Sequence, residues 1–332
     1  MRRASCTELE GAAAADFAAP WWLPGGHAQT IWPLARSGPL PAYQRERLDT
    51  PDGDFIDLDW LPAAPDAPLL VLFHGLEGSS ASHYARSLMR AAQARGWRAV
   101  VAHFRGCSGE PNRLARAYHS GDSAEIDWIL RQLAPRAGAA PLFAAGVSLG
   151  GNALLKWLGE REHDAMAVVA AAAAVCPPLD LAICGHALGR GFNRLYTRRF
   201  LITLKRKALA KLARDPDLFD AARLRAATTL YAFDDAYTGP VHGFSGADDY
   251  WRRASSKPWL AAIRVPTLLL CAANDPFVPS AALPAADELS AQVQFECPRG
   301  GGHVGFLGGR CPGHLDWLPA RLLRHFERLA SA

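Results

Sequence analysis

Short apolar runs alternate with segments whose apolar residues recur at helical spacing. The apolar runs cover residues 69–75, 97–104, 141–146, 165–176, 267–272 and 292–297. Helical spacing is found in His83–Arg95, Asp122–Leu133 and Asn152–Gly159. Strands that are apolar throughout and alternate with helices are typical of a parallel sheet covered on both faces. The pattern therefore predicts an α/β protein with a mostly parallel central sheet.

Two regions depart from this alternation. Residues 178–262 contain no convincing apolar strand and have largely helical patterns, so we expect a helical lid or cap inserted between two strands. Residues 20–43 are rich in Pro, Trp and Gly and predict an irregular arm. Alternating segments on either side of Pro51-Asp52-Gly53 predict a β-hairpin. The expected organisation is an N-terminal arm over 1–43 and one α/β domain over 44–332.

Composition narrows the class of protein. Half of the 332 residues are hydrophobic, which excludes a disordered chain. The longest apolar run, Ala165–Cys176, is too short to cross a bilayer as a helix. No apolar stretch of signal-peptide length follows the first residues, so we expect a cytoplasmic protein.

Seven cysteines without a C-x-x-C pair favour reduced thiols over a disulfide framework or a zinc site. A net charge of +4 does not point to nucleic acid.

The segment Gly146-Val147-Ser148-Leu149-Gly150 has the pattern G-x-S-x-G. It follows an apolar strand and opens a helical pattern, which is the context of a nucleophilic serine on a sharp turn. Glycines on both sides allow backbone to pack against backbone. The helix N-terminus directs amide groups towards negative charge that develops beside the serine. Ser148 is therefore the candidate nucleophile.

A serine nucleophile needs a base and an acid that orients the base. Asp275 comes just after the apolar run 267–272, and His303 comes just after the run 292–297. Both positions are where a parallel sheet would bring them to the edge that carries Ser148. Rival acids and bases are Asp234, Asp235, Asp248, Asp249, His242 and His314, most of them within the expected lid.

An oxyanion hole requires two amide donors. The backbone amide of Leu149 directly follows the candidate nucleophile. The loop His74-Gly75-Leu76-Glu77-Gly78 follows the strand 69–73, and the Leu76 amide is the candidate for the second donor.

Residues 190–214 hold nine Lys or Arg and no acidic residue. Leu201, Leu204, Ala208, Leu209 and Leu212 recur at helical spacing, which predicts a basic amphipathic helix. A solvated face of a packed helix is one interpretation. The other is weak contact with anionic lipid headgroups or with an anionic substrate.

Together these segments resemble the YheT-like branch of the α/β-hydrolases, whose eukaryotic relatives include membrane-anchored phospholipases. The matching segments are Gly26–Thr30, His74–Ser80, Arg105–Gly109, Tyr118–Gly121, Gly146–Asn152, Phe233–Asp235, His242–Phe244, Asn274–Pro279 and Gly301–Phe306. The resemblance implies an α/β-hydrolase fold and a Ser148–Asp275–His303 charge-relay triad. It also implies carboxylic-ester hydrolysis.

The expected activity is hydrolysis of a small acyl or lipid-like ester through an acyl-enzyme, with no metal or organic cofactor. An acyltransferase or a thioesterase would use the same residues. A non-catalytic ligand- or membrane-binding protein is the remaining alternative, and it would be expected to have a broken triad.

Overall fold

The computed structural model describes residues 17–330, which form one eight-stranded sheet covered by helices. The strand order in the sheet is β1-β2-β4-β3-β5-β6-β7-β8. The strands are β1 (Gln44–Asp49), β2 (Phe55–Leu61), β3 (Leu69–Phe73), β4 (Arg98–Ala102), β5 (Leu142–Val147), β6 (Ala171–Val175), β7 (Thr267–Leu270) and β8 (Val293–Glu296).

Strands β3 to β8 run parallel, while β2 is antiparallel to both β1 and β4. Each of the six apolar runs contains one parallel strand, so the prediction of a mostly parallel sheet is confirmed. The predicted hairpin is also confirmed, since Gln44 pairs with Trp60 and Asp49 pairs with Phe55. The carboxyl ends of β5, β7 and β8 lie at the same edge of the sheet.

Helix α1 precedes β1, helices α2 to α11 connect strands, and helix α12 follows β8. Their bounds are α1 (Gly26–Ile31), α2 (His83–Ala94), α3 (Ser123–Ala137), α4 (Leu149–Arg161), α5 (His163–Met166), α6 (Leu181–Leu188), α7 (Asn193–Lys211), α8 (Ala221–Ala226), α9 (Leu230–Phe233), α10 (Gly239–Val241), α11 (Ala247–Ala254) and α12 (Trp317–Ala330). Short 3₁₀ turns occupy Trp32–Arg36, Lys257–Ala262, Ser280–Ala282 and Ala286–Glu288, and a π-helix occupies Asp234–Thr238.

Two apolar layers lie on opposite faces of the sheet. In β3, Leu69, Val71 and Phe73 belong to one buried cluster, and Leu70 and Leu72 belong to the other. Successive strand residues point to opposite faces, so this division separates the two layers. Helices α3 and α4 cover the first face, and helices α2 and α12 cover the second.

Three details differ from the sequence predictions. Only Ala171–Val175 of the run 165–176 is a strand, and the run begins within α5. Apolar composition alone does not separate a buried strand from the buried turn that precedes it. The arm expected to be irregular contains α1 and a 3₁₀ turn. Cys297 is disulfide-bonded, so the prediction of reduced thiols is wrong for this residue. Spacing along the chain does not reveal which sulfurs meet in space.

Residues between β6 and β7 form helices α6 to α11, as the helical pattern over 178–262 predicts. This segment has small apolar cores of its own. One of them contains Leu201, Ala208, Leu224, Phe233 and Tyr237. No helix within the described residues is long and apolar enough to cross a membrane.

Candidate active site

Ser148 lies at the sharp turn between β5 and α4, with a φ of 52°. The turn needs glycine on both sides. A Cβ on Gly146 would lie 2.6 Å from the Gly150 carbonyl oxygen, and a Cβ on Gly150 would lie 2.5 Å from the carbonyl oxygens of Phe73 and His74. Strained backbone of this kind is found at functional sites. The turn holds the serine side chain at the carboxyl edge of the sheet.

The structure brings Ser148, His303 and Asp275 together in a hydrogen-bonded chain. His303 Nε2 is 2.9 Å from Ser148 Oγ, and His303 Nδ1 is 2.9 Å from Asp275 Oδ2. The other carboxylate oxygen of Asp275 accepts hydrogen bonds from the amides of Phe277 and Val278 at 2.7 and 3.3 Å. Asp275 is buried, and the Phe277 ring stacks on the imidazole of His303 with centroids 4.2 Å apart. Both neighbours of the imidazole therefore restrict its orientation.

The N-terminal arm anchors the loop that carries His303. Thr30 Oγ1 accepts a hydrogen bond from the His303 amide at 2.8 Å. Gln29 is buried, and its Oε1 accepts from the Gly301 amide at 2.8 Å and from Asn274 Nδ2 at 2.9 Å. The sequence pattern predicts no role for these residues. The only signal was the segment Gly26–Thr30, which matched the family pattern without an explanation.

Leu76 lines the same cavity as Ser148. The carbonyl oxygen of Gly75 accepts hydrogen bonds from the Gly78 amide at 2.9 Å and from His74 Nδ1 at 2.8 Å. In a trans peptide the N–H points away from the C=O, so these two bonds set the direction of the Leu76 N–H. Among residues 17–330, neither the Leu76 nor the Leu149 amide has an acceptor. Both predicted donors are therefore available at the cavity.

His74 is a neutral positioning residue for this loop. Its Nε2 accepts a hydrogen bond from the Phe104 amide at 3.1 Å, so the ring proton is on Nδ1 and faces the Gly75 carbonyl. Burial lowers the pKa of His74 to about 3, which keeps the ring neutral at physiological pH.

The rival acids and bases are engaged elsewhere. His242 bonds to the backbone of Thr238 and Ala117, and His314 pairs with Asp316 on the surface. Trp251 Nε1 and Thr238 Oγ1 donate to the Asp234 carboxyl, Asp235 pairs with Arg223, Tyr231 donates to Asp248, and Asp249 pairs with Arg252 and Arg253. None of them is bonded to Ser148 or His303.

Cys176, Asp275 and His303 offer three possible metal ligands within 4.8 Å of one another. The chemistry of the donor set is unfavourable for a metal. Burial raises the pKa of the Cys176 thiol well above its usual value, so the thiolate that binds metals is disfavoured. The Asp275 and His303 atoms are also bonded to each other.

A cavity of about 1100 Å³ extends from Ser148 beneath α7. Apolar side chains of the helical segment, including Leu188, Phe200 and Leu204, form part of its lining. Lys207 Nζ on α7 is 2.8 Å from Glu77 Oε1, directly after Leu76. Tyr118 Oη accepts from the Glu77 amide and donates to the same carboxylate oxygen. The cavity is large enough for an acyl chain as well as the reacting carbonyl.

Comparisons with known proteins agree with this fold. A family model described as the alpha/beta hydrolase fold matches residues 68–309. The chain is 44% identical over 303 residues to "Putative esterase YheT" of Escherichia coli, covering 89% of this chain and 88% of that protein. It is 29% identical to human "Phospholipase ABHD3", covering 92% of this chain and 76% of that protein. The solved structure of Est1E from Butyrivibrio proteoclasticus with ferulic acid superposes with a TM-score of 0.57 at 14% identity, covering 88% of this chain and 100% of that one.

The chain therefore belongs to the α/β-hydrolase family, in its YheT-like branch. It is an enzyme of the hydrolase class.

Proposed function

We propose that the protein is a serine hydrolase that cleaves carboxylic esters with Ser148 as nucleophile, His303 as base and Asp275 as the acid that orients the base. The observation that carries this proposal is the hydrogen-bonded chain from Ser148 Oγ through both nitrogens of His303 to Asp275 Oδ2, with each bond 2.9 Å long. The names of the relatives, an esterase and a phospholipase, support an ester as the substrate.

In the first half of the reaction, His303 Nε2 takes the proton from Ser148 Oγ while Oγ bonds to the ester carbonyl carbon. Asp275 keeps the other imidazole proton on Nδ1 and stabilises the imidazolium. His303 then gives its proton to the leaving alcohol oxygen, and the carbon–oxygen bond to the alcohol breaks. The acyl group remains on Ser148.

In the second half, a water molecule gives a proton to His303 Nε2 and its oxygen attacks the acyl carbon. The tetrahedral species collapses, Ser148 Oγ regains the proton, and the carboxylic acid leaves. The Leu76 and Leu149 amides donate to the carbonyl oxygen in both tetrahedral species. Each such donor is worth roughly 3 kcal/mol of barrier in comparable enzymes.

The apolar part of the cavity favours an ester with a lipophilic acyl chain. Leu188, Phe200 and Leu204 line the cavity from the segment 178–262, which supports a lid role for this segment. A yeast relative named monoacylglycerol lipase, 29% identical over 73% of this chain and 56% of its own length, is consistent with such a substrate. Cytoplasmic location stays a prediction from the sequence.

Labelling with a fluorophosphonate, followed by peptide mapping and turnover of p-nitrophenyl esters of increasing chain length, tests the proposal. We expect one label on Ser148 and ester turnover that labelling abolishes. Absence of a label on the folded protein, or a label on another residue with full activity retained, would overturn the proposed nucleophile. Product analysis with an added alcohol separates hydrolysis from acyl transfer.

A further inference from the structure

The outer side of α7 presents apolar side chains to solvent. Leu195 and Ile202 are 57% and 63% exposed, and Phe192, immediately before the helix, is 49% exposed. Arg199 lies between Leu195 and Ile202 in the sequence, and Arg206 comes after Ile202. Their spacing places them all on one helical face. This face therefore alternates exposed apolar groups with guanidinium groups.

The same face borders the mouth of the cavity that contains Ser148. Arg199 and Arg206 line this cavity and are themselves exposed, as is Leu34, at 58%, from the N-terminal arm. The His27 ring of α1 packs against the Phe192 ring with centroids 4.5 Å apart, which brings the arm to the start of α7. We call this surface the entrance face and define it as Leu34, Phe192, Leu195, Arg199, Ile202 and Arg206.

The two arginines of the entrance face have no acidic partner in the part of the chain that the structure describes. Within residues 17–330, neither Arg199 nor Arg206 forms an ion pair. Nine Lys or Arg and no acidic residue lie in 190–214, so no acid of this segment neutralises them. Four acids line the cavity: Glu77 pairs with Lys207, Glu110 pairs with Arg47, Asp234 accepts from Trp251 and Thr238, and Asp215 is exposed to solvent. Helix α7 itself contains basic residues and no acidic one, so it carries a net positive charge.

A row of exposed apolar residues beside arginines is the pattern of a helix face that binds a lipid surface. Apolar side chains gain free energy on entering the acyl boundary of a bilayer, while arginines of the same face reach the phosphates of the headgroups. Isolated exposed apolar residues need no explanation, but a group at the mouth of an apolar cavity does.

We propose that the entrance face docks on a lipid surface with anionic headgroups, so that an acyl ester passes from the lipid into the cavity. The occupant is identified by charge complementarity with Arg199 and Arg206 and by the exposure of Leu195 and Ile202. Passage of an ester depends on the proposed function, whereas docking itself does not.

Co-sedimentation of the full chain with vesicles tests docking. The two probes are phosphatidylcholine vesicles and mixed vesicles of phosphatidylcholine and phosphatidylglycerol in a two-to-one ratio. We expect binding to the mixed vesicles, much weaker binding to the neutral ones, and loss of binding at high salt. Because each surface cation adds about 1 kcal/mol, Arg199→Gln with Arg206→Gln should weaken binding about 30-fold. Leu195→Ser with Ile202→Ser should weaken it roughly tenfold.

Matched controls come from surfaces outside the cavity. Arg324→Gln with Arg328→Gln removes the same charge from the exposed side of α12, and Met166→Ser removes another side chain that is 53% exposed. Both should bind the mixed vesicles like the unaltered protein. Equal binding to both vesicle types, no binding to either, or an equal loss in the α12 control would overturn the proposal. A solution dimer that the entrance-face substitutions dissociate would overturn it too.

The vesicle experiment is independent of catalysis. Ser148→Ala protein should bind the mixed vesicles as the unaltered protein does. Loss of ester turnover in that variant concerns the proposed function, and loss of vesicle binding in the entrance-face variants concerns docking.

Discussion

Helices α4 and α7 border the same cavity but are attached to the protein in opposite ways. Of the 13 residues of α4, 11 are buried, including the polar Asn152 and Lys156. Of the 19 residues of α7, only Thr197, Leu201 and Ala208 are buried. Helix α4 begins directly after Ser148, the proposed nucleophile, and packs on the sheet. Helix α7 covers the cavity with one side and faces solvent with the other.

This difference in burial predicts which of the two helices moves away from the cavity more easily. Displacing α4 would expose a large apolar surface, so Ser148 stays in place relative to the sheet. Helix α7 buries only a few apolar side chains, and polar contacts also hold it, among them Lys207 with Glu77 and Lys211 with the Asn112 side chain and two backbone carbonyls. Segments with few buried apolar contacts open at lower free energy than the core.

Removing the proposed nucleophile, which lies at the start of α4, should have the largest effect. Ser148→Ala should lower kcat by about 10⁶-fold, as loss of a catalytic serine does in comparable enzymes. The melting temperature should stay unchanged, because the buried side of α4 is untouched. Ester turnover and thermal unfolding measure the two effects. Ser37→Ala, on the cavity lining away from the hydrogen-bonded chain, is the control, and equal losses in both variants would contradict the assignment.

Asp275→Asn should lower kcat by about 10⁴-fold. The asparagine oxygen still accepts from the Phe277 and Val278 amides, so its NH₂ group faces His303 Nδ1. The imidazole proton then moves to Nε2, which no longer accepts the proton of Ser148. Steady-state kinetics with a soluble ester check this loss. Asp316→Asn alters an exposed His–Asp pair and should have no effect, whereas a loss below tenfold for Asp275→Asn would assign the acid elsewhere.

Gln29→Leu tests the arm that anchors the histidine loop. It leaves the Gly301 amide and the Asn274 side-chain amide without their common acceptor. An unsatisfied buried group costs about 1–3 kcal/mol, so we expect a loss of about 4 kcal/mol in the free energy of unfolding. Chemical denaturation measures it. Gln294→Leu, at an exposed position on β8, should cost under about 0.5 kcal/mol, and similar losses in the two variants would contradict an anchoring role.

The helical segment should respond to pH through Asp234. Burial raises the pKa of Asp234 to about 6, while Trp251 and Thr238 donate to the carboxyl. The folded state then binds the proton more tightly than the unfolded state, whose pKa is about 4, so stability falls as pH rises from about 4 to 6. The loss should reach up to about 3 kcal/mol.

Denaturation of the unaltered protein and of Asp234→Asn across this pH range measures the effect. In Asp234→Asn, the free energy of unfolding should not fall between pH 4 and 6. Asp235→Asn, which removes the partner of Arg223, should keep it. If the free energy of unfolding changed with pH in the same way in the unaltered protein and in Asp234→Asn, the pKa of Asp234 would not be raised in the folded state.

Lys207→Met should have the smallest effect and bears most directly on the comparison of the two helices. Partly exposed ion pairs contribute about 0.2–1 kcal/mol, so amide hydrogen exchange over α7 should accelerate up to about fivefold. Exchange over α4 should not change. Lys205→Met is the control, because Lys205 bonds to the Arg225 carbonyl within the helical segment. Equal acceleration in both variants would mean that the Glu77 contact does not hold α7.

Several features of the fold follow from local patterns, and others do not. Residues 69–73 and 142–147 are apolar on every position because both faces of a parallel sheet are covered, and this makes them recognisable as strands. The run 165–176 is equally apolar, yet only its second half pairs with β5, from Ala171 onwards. Pairing with a neighbouring strand decides where a strand begins, and a single segment carries no information about its neighbour.

The candidate site likewise has some features that the sequence predicts and others that only the folded chain shows. The proposed reacting groups follow from the sequence alone. A serine flanked by glycines after a strand is a local pattern, as are an acid and a histidine after later strands, and the three occur in a fixed chain order. The folded structure was needed to show that Gln29 and Thr30, more than 270 residues before His303, hold its loop, and that His74 directs the Leu76 amide. It also decided which apolar residues of α7 remain exposed. These contacts join groups distant in sequence, and hydrogen-bond geometry and burial exist only once the chain has folded.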